Sequence, residues 1–384
     1  MKTNYIAAEV LCMAFLFISM DVFSVNFKRE AVQIPIKYKN FKLSGIVNIP
    51  SGFKENDPLV ILVPSPQPHS KDSVSILNLL ADSLAQHGIA SFKYDNRALA
   101  DSADLVFNRY QDRLDKFTMH DDAEDVAGIL TALKADPRFS KAAIGLIGHS
   151  EGGCTSAIAA SENKDVEFLI VLSSMGTTGE LFAYNSVAKN LEQKIPPIFP
   201  SRQRNFLQHA LFCIPYNIAR YPDNKEAKKK IREDIIKLAD DNSDNRTPFA
   251  GKLNIEEYAD TLISQFISPR MYDMVRYDPK KYYSKIQAPV LITCATRDDF
   301  ADYKTNMYAF ERMFFELKKE NYTMLKVDGA DHAYKDQPDS YPYPGEFFHS
   351  RSYRYGRHGA KFGSALKFLN ECIVLWIQNG FEFK

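Results

Sequence analysis

Ile144-Gly-Leu-Ile-Gly-His-Ser-Glu-Gly-Gly153 is the stretch of sequence that decides the fold. The apolar run at 142–147 predicts a buried strand, and the small residues at 154–160 predict a helix. Between them lies a Gly-x-Ser-x-Gly turn with Ser150 at its apex, where glycines remove side chains that would collide and tolerate unusual backbone angles. A serine presented between a strand and a helix in this way is typical of a catalytic nucleophile. The alternative is a glycine-rich turn that carries a serine by chance.

The composition limits the classes of function. The 384 residues include 48 Lys and Arg and 48 Asp and Glu, so no global charge favours nucleic acid or an anionic membrane. A hydrophobic fraction of 45% is typical of a globular protein with a sizeable core. The cysteines show neither a disulfide framework nor the C-x-x-C spacing of a metal site, and we expect no metal or organic cofactor.

The N-terminus has the pattern of an export signal. Lys2 is a short basic region, residues 10–20 form an apolar segment too short to span a bilayer, and Val22-Phe-Ser24 offers a small-residue cleavage site. We therefore predict a signal peptide at 1–24, export to the periplasm or the medium, and no stable membrane insertion after its removal. Glu9 weakens the pattern, and an uncleaved anchor or a buried N-terminal helix is the alternative.

Apolar strands and helices alternate along the chain. Residues 32–38 and 41–49 predict a hairpin at a sheet edge. Further strands are predicted at 59–63, 89–94, 142–147, 168–173, 289–295 and 322–327, and helices at 73–87, 121–134, 304–319 and 362–379. Residues 98–117 and 333–360 are expected to be loops. This alternation predicts an α/β fold with a doubly wound, mostly parallel sheet, whose ligands bind at the carboxyl ends of the strands.

After the predicted strand at 168–173, the hydrophobic pattern of the sequence changes. The segment that follows contains helical periods but no strong apolar strand. We predict a helical cap insertion at 177–285, within a core made of 25–176 and 286–384. Such an insertion over a site usually shapes the choice of substrate.

A nucleophilic serine needs a base, and the base needs an acid to orient it. His332 follows a predicted strand end and the Gly329 turn, and is the best candidate base; His349 and His358 are alternatives in a predicted loop. Asp298 and Asp299 follow the strand at 289–295 and are candidate acids, with Asp302 a further neighbour. The order Ser, Asp, His along the chain is compatible with a catalytic triad.

These residues resemble the α/β-hydrolase superfamily, and within it bacterial esterases and serine-aminopeptidase-like hydrolases. Ile147-Gly-His-Ser-Glu-Gly-Gly153 is similar to their nucleophile elbow, the strand–turn–helix that carries the catalytic serine, and is called the elbow below. Gly329-Ala-Asp-His332 is similar to the loop that carries their histidine (the histidine loop). Ser268 to Pro279 is similar to the segment by which their chain leaves the cap (the cap exit). Ala295-Thr-Arg-Asp298 resembles their acid turn, which implies that Asp298 is the acid. The resemblance covers nearly the whole chain from about residue 30.

The chain departs from this family in one loop. Where such enzymes carry a glycine-rich oxyanion loop, this sequence has Pro64-Ser-Pro-Gln-Pro68. A proline has no N–H to donate. A proline at the usual donor position would leave Ser65 or Gln67 to supply that N–H, together with the N–H of Glu151 after the nucleophile.

The sequence therefore predicts a serine hydrolase that cleaves carboxylic esters through Ser150, His332 and Asp298 and an acyl-enzyme. Its substrate would be a small acyl ester or a short peptide. An aminopeptidase or acyl-peptide hydrolase with the same triad is one alternative. A non-catalytic binding protein with a hydrolase fold is the other, and the proline-rich loop is its main support.

Overall fold

The computed structural model describes residues 26–36, 41–66, 71–72, 75–100, 107–194, 201–240, 254–336, 346–349 and 365–383. The predicted signal peptide, Gln67 and His358 lie outside these ranges. Within the described residues, nine strands form one sheet: β1 (Phe27–Pro35), β2 (Lys42–Pro50), β3 (Leu59–Val63), β4 (Ala90–Tyr94), β5 (Ile144–His149), β6 (Phe168–Leu172), β7 (Val290–Ala295), β8 (Tyr322–Val327) and β9 (Glu346–His349).

The strand order is β1-β2-β4-β3-β5-β6-β7-β8-β9. Neighbours from β4 to β8 run parallel, whereas β1, β2 and β9 are added antiparallel at the two ends. The central strands are buried along their whole length because helices cover both faces, and this burial is why their sequences are continuously apolar. The predicted doubly wound, mostly parallel sheet with an N-terminal hairpin is confirmed.

The helices lie between the strands and after them. They are α1 (Ile76–Gln86), α2 (Arg97–Ala100), α3 (Phe107–Leu114), α4 (Met119–Ala135), α5 (Glu151–Glu162), α6 (Gly179–Lys194), α7 (Ser201–Arg220), α8 (Asn224–Asp240), α9 (Ile255–Phe266), α10 (Pro269–Val275), α11 (Pro279–Tyr283), α12 (Tyr303–Glu316) and α13 (Ala365–Gln378). No helix in the described ranges is both long and apolar enough to cross a membrane.

Two apolar clusters hold the helices to the two faces of the sheet. Helices α4, α5 and α12 pack on one face, and α1 and α13 on the other. The single tryptophan of the chain, Trp376, is fully buried on the second face, where its Nε1 donates to Thr323 Oγ1 at 3.3 Å. This arrangement leaves the carboxyl ends of the parallel strands for the loops that carry the candidate site residues.

Helices α6 to α10 stand between β6 and β7 and share a third apolar cluster. We call them the helical insertion. Side chains such as Ala210, Ile218 and Ile231 are fully buried in that cluster, so the insertion has a small core of its own. The division of the chain at 177–285, and the role of this segment as a cap, stay predictions.

Two segments predicted to be loops contain regular structure. Residues 98–117 include α3 and most of α2, because the one-turn spacing of Tyr110 and Leu114 buries both in a small cluster with Leu99. The prediction was wrong because these few apolar residues stand among many polar ones. In the second segment, β9 extends the sheet by pairing antiparallel with β8, so His349 lies in a strand and not in an irregular loop.

Candidate active site

Ser150 stands between the last residue of β5 and the first residue of α5, with φ 56° and ψ −127°. A positive φ is rare for a residue other than glycine and is found where a tight structure holds it in place. The neighbouring glycines allow this turn. A Cβ on Gly148 would lie 2.2 Å from the carbonyl oxygen of Gly152, and one on Gly152 would lie 2.4 Å from that of Val63.

The structure brings His332 and Asp298 together. Asp298 follows β7 and His332 follows β8, so parallel neighbouring strands carry both to the same edge of the sheet. His332 Nδ1 donates to Asp298 Oδ2 at 2.8 Å, while Asp298 Oδ1 accepts the N–H groups of Phe300 and Ala301, each at 2.8 Å. The buried carboxylate is thus fully engaged, and it orients the imidazole with its Nε2 available as an acceptor.

Asp299, the other candidate acid, lies elsewhere. Its carboxylate is exposed and pairs with Lys189 of α6 at 3.0 Å. It therefore links the acid turn to the helical insertion and does not contact His332 through any described hydrogen bond or ion pair.

His149 ties the histidine loop to the elbow, a role that sequence reasoning did not assign. Its Nε2 donates to the carbonyl oxygen of His332 at 2.7 Å, and the two imidazole rings lie 4.8 Å apart between centroids. Burial, together with the nearby His332, lowers the pKa of His149 to about 4. The neutral imidazole of His149 thus bonds the backbone of His332 and keeps the histidine loop next to the turn that carries Ser150.

The candidate oxyanion donors lie at the start of α5 and in the loop after β3. Glu151 is the first residue of α5, so its N–H has no partner within the helix. The loop packs directly on the elbow, since a Cβ on Gly152 would lie 2.8 Å from the carbonyl oxygen of Pro64. Ser65 follows in that loop; Gln67 lies outside the described residues.

Sequence reasoning also missed a buried ion cluster behind the elbow. Arg270 of α10 contacts Glu151 Oε1 at 2.5 Å and Asp122 Oδ2 at 2.8 Å through the same atom, Nη2. Burial raises the pKa of Glu151, and Arg270 opposes that rise. The only available signal was the position of Arg270 in the predicted cap exit, and its pairing spans 148 residues to Asp122.

The side chain of Phe300 lies beside His332. The two rings are 5.1 Å apart between centroids, and Phe300 is 75% exposed. An exposed aromatic ring next to the candidate base is a surface against which a ligand ring could pack.

The profile of the family described as serine aminopeptidase, S33, matches residues 69–335, which is more than half of the chain. The chain belongs to this family. It is an α/β hydrolase, as the resemblance of the elbow and the histidine loop implied. No protein of curated function matches it in sequence.

Solved structures with the same fold are distant in sequence. Est1E from Butyrivibrio proteoclasticus with ferulic acid bound is 15% identical with a TM-score of 0.50, covering 91% of this chain and 98% of that one. DcsB with its substrate analogue is 16% identical with a TM-score of 0.50, covering 92% and 99%. A dipeptidyl aminopeptidase IV-like protein from Bacteroides ovatus is 12% identical with a TM-score of 0.50, covering 94% of this chain but 36% of that one. These likenesses establish the fold.

Proposed function

We propose that this hydrolase cleaves carboxylic esters through Ser150, His332 and Asp298. His332 Nε2 takes the proton of Ser150 Oγ as that oxygen attacks the ester carbonyl carbon. The tetrahedral intermediate then expels the alcohol, which receives the proton from His332. Water attacks the acyl-enzyme by the same route and releases the acid. The observation that carries this proposal is the 2.8 Å Asp298–His332 pair, attached to the elbow by His149.

The oxyanion would be stabilised by two backbone N–H groups. One belongs to Glu151 at the start of α5. The other would come from Ser65 or Gln67, because Pro66 has no N–H. Each such donor typically contributes about 10²–10³ to the rate.

One observation favours an ester over a peptide with a free N-terminus. An aminopeptidase needs a carboxylate near the nucleophile to hold the substrate ammonium group. Glu151 is the acid next to Ser150 in sequence, and its carboxylate is already paired with Arg270 in a buried contact. A carboxylate in that state has little capacity left for a second cation.

The reactive serine is tested first. An alkyl fluorophosphonate should label wild-type protein once per chain, and peptide mapping should find the label on Ser150. Ser150→Ala should lose both labelling and ester hydrolysis while keeping its circular dichroism spectrum. Full hydrolysis by Ser150→Ala would refute the mechanism, and a folded wild type that neither reacts nor turns over would favour the non-catalytic alternative.

The substrate class is tested by pairs of compounds that share an acyl group. Esters of p-nitrophenol and aminoacyl p-nitroanilides should be compared by kcat/KM, and we expect the esters to exceed the anilides by more than their difference in intrinsic reactivity. Faster cleavage of anilides with a free amine than of their N-acetylated forms would instead support the aminopeptidase alternative.

Phe300 suggests an aromatic acyl group. Phe300→Ala should raise KM for benzoyl or hydroxycinnamoyl esters more than for acetyl esters, because only the aromatic acyl groups have a ring that can pack against Phe300 beside His332. Phe315→Ala is the matched control, since Phe315 is 81% exposed on the last turn of α12. Equal effects on all acyl groups would remove Phe300 from the substrate site.

We also propose export, on the pattern of residues 1–24. Expression of the full chain in a bacterial host should give a mature protein that begins near residue 25 in the periplasm or medium. An unprocessed protein confined to the cytoplasm would refute this proposal.

A further inference from the structure

The contacts of Arg270 join three elements at one atom. Arg270 lies on α10, Asp122 on α4 and Glu151 on α5. Both carboxylates contact Nη2 of Arg270, a residue that is 6% exposed. The segment that leads out of the helical insertion is therefore connected directly to the residue after the candidate nucleophile.

This arrangement is a poor way to stabilise a fold. Nε and Nη1 of Arg270 are buried and have no hydrogen-bond partner in the described part of the chain. Buried donors of a charged group that remain unpaired cost free energy, and a buried ion pair often contributes no more than an apolar replacement would. Because these unpaired donors make the cluster unfavourable for stability, we infer that it has another role.

The backbone that carries Arg270 is itself fixed against α4. Asp273, three residues further along α10, accepts the N–H groups of Met119 at 2.8 Å and His120 at 3.3 Å. These are the first residues of α4, whose N–H groups have no partner inside the helix. Asp273 also pairs with Nδ1 of His120 at 2.8 Å. Arg270 therefore acts from a fixed position.

We propose that Arg270 is a positioning residue, which holds the side chain of Glu151 against Asp122 and thereby fixes the direction of the Glu151 backbone N–H toward the oxyanion. This inference rests on the proposed function. Glu151 stands at the first position of α5, where no intrahelical hydrogen bond fixes its N–H. A neighbouring residue can therefore fix the orientation of Glu151 only through its side chain.

The charged and titratable groups that interact with Glu151 come from four elements, one of which is α5 itself, through Cys154. The others are Asp122 from α4, Arg270 and Asp273 from α10, and Tyr110 from α3. Among these, Arg270 is the only cation. Replacing it by a neutral side chain leaves two partly buried carboxylates together, which raises the pKa of Glu151 further and favours its protonated form.

The test compares Arg270→Met and Arg270→Lys with the wild type, using kcat per active site titrated with a fluorophosphonate, so that misfolded molecules are not counted. We expect kcat to fall about 10–100-fold in Arg270→Met and less in Arg270→Lys, because losing an oxyanion donor entirely costs about 10²–10³. KM for a small ester should change less than twofold. Arg276→Met is the matched control, since the Arg276 side chain in the same segment bonds to Ile218, Tyr221 and Asn224, lies over the Tyr272 ring, and has no described contact with Glu151 or Asp122.

The pH profile separates positioning from a general loss of structure. Arg270→Met should gain an additional ionisation in kcat that Arg270→Met combined with Glu151→Gln lacks. If Arg270→Met is not obtained folded, Arg270→Lys and Glu151→Gln decide, and each should lower kcat with little change in KM. A wild type without esterase activity would refute the proposed function. An active wild type whose Arg270 variants keep kcat per titrated site, or fall no more than Arg276→Met, would overturn this inference.

Discussion

Replacing His149 by glutamine should make the protein less sensitive to acid. His149 is buried, and Nε2 must carry a proton because it donates to the carbonyl of His332 at 2.7 Å. A glutamine amide can supply the same donor without ever becoming charged. The neutral imidazole of the folded state has a pKa of about 4, against 6.5 for a histidine in an ordinary environment.

The sign and size follow from linkage. Below pH 6.5 the unfolded chain binds a proton at His149 that the folded chain does not bind until about pH 4. Stability therefore falls as the pH drops through this window, by about 2 kcal/mol at pH 5 and about 3 kcal/mol at pH 4 relative to pH 7.5. His149→Gln should lack this part of the pH dependence.

The assay is urea unfolding followed by circular dichroism at pH 7.5, 6 and 5 for both proteins. The difference in unfolding free energy between wild type and variant isolates His149, because every other titrating group is shared. His120→Gln is a control of opposite sign: the adjacent Asp273 raises the pKa of His120, so the stability that His120 contributes is lost as the pH rises. A wild-type-to-variant difference that stays constant from pH 7.5 to pH 5 would refute the reasoning.

Four further substitutions test other parts of the structure. Asp298→Asn should lower kcat by about 10⁴ in ester assays, because an amide no longer holds His332 with Nε2 free to accept a proton. Gly148→Ala should lower the free energy of unfolding by about 3 kcal/mol or more, since the new Cβ would lie 2.2 Å from a backbone oxygen. Gly128→Ala in α4, where the nearest atom is 3.7 Å from the new Cβ, should raise it by up to about 1 kcal/mol. Both are measured by urea unfolding. Arg270→Met should lower the unfolding free energy by about 2–3 kcal/mol, somewhat less than for a fully buried pair, because it leaves two partly buried carboxylates without a cation.

Each of these has an outcome that contradicts it. Asp299→Asn is the control for the acid, and a larger loss there than in Asp298→Asn would reverse the assignment. Equal unfolding free energies for the two glycine variants would show that the elbow has room for a side chain. An Arg270→Met protein as stable as the wild type would mean that Glu151 is neutral in the folded state.

The elbow and the sheet could be predicted because their causes are local. Continuous apolar runs mark strands covered on both faces, and glycines on each side of Ser150 are required by contacts within a few residues of it. His332 could be proposed because a turn after a strand end is visible in the sequence. In these cases the chemistry and the reason for it lie in the same short segment.

The remaining assignments depend on contacts between distant segments. Asp298 and Asp299 are neighbours in sequence, yet Asp298 bonds to His332 whereas Asp299 pairs with Lys189, 110 residues away. The Arg270 cluster joins residues 148 positions apart, which no local pattern encodes. Helix α3 escaped prediction because its burial depends on a few apolar side chains within a polar stretch.

The position of Trp376 has a consequence for spectroscopy. It is the only indole in the chain, and it packs beside Phe168 and Phe381 on the sheet face opposite α4 and α5. Its emission therefore reports on the docking of α13, while the helical insertion can loosen without changing the indole environment. Circular dichroism registers both regions, so a dichroism transition that precedes the fluorescence transition would mark the insertion as an independently melting unit.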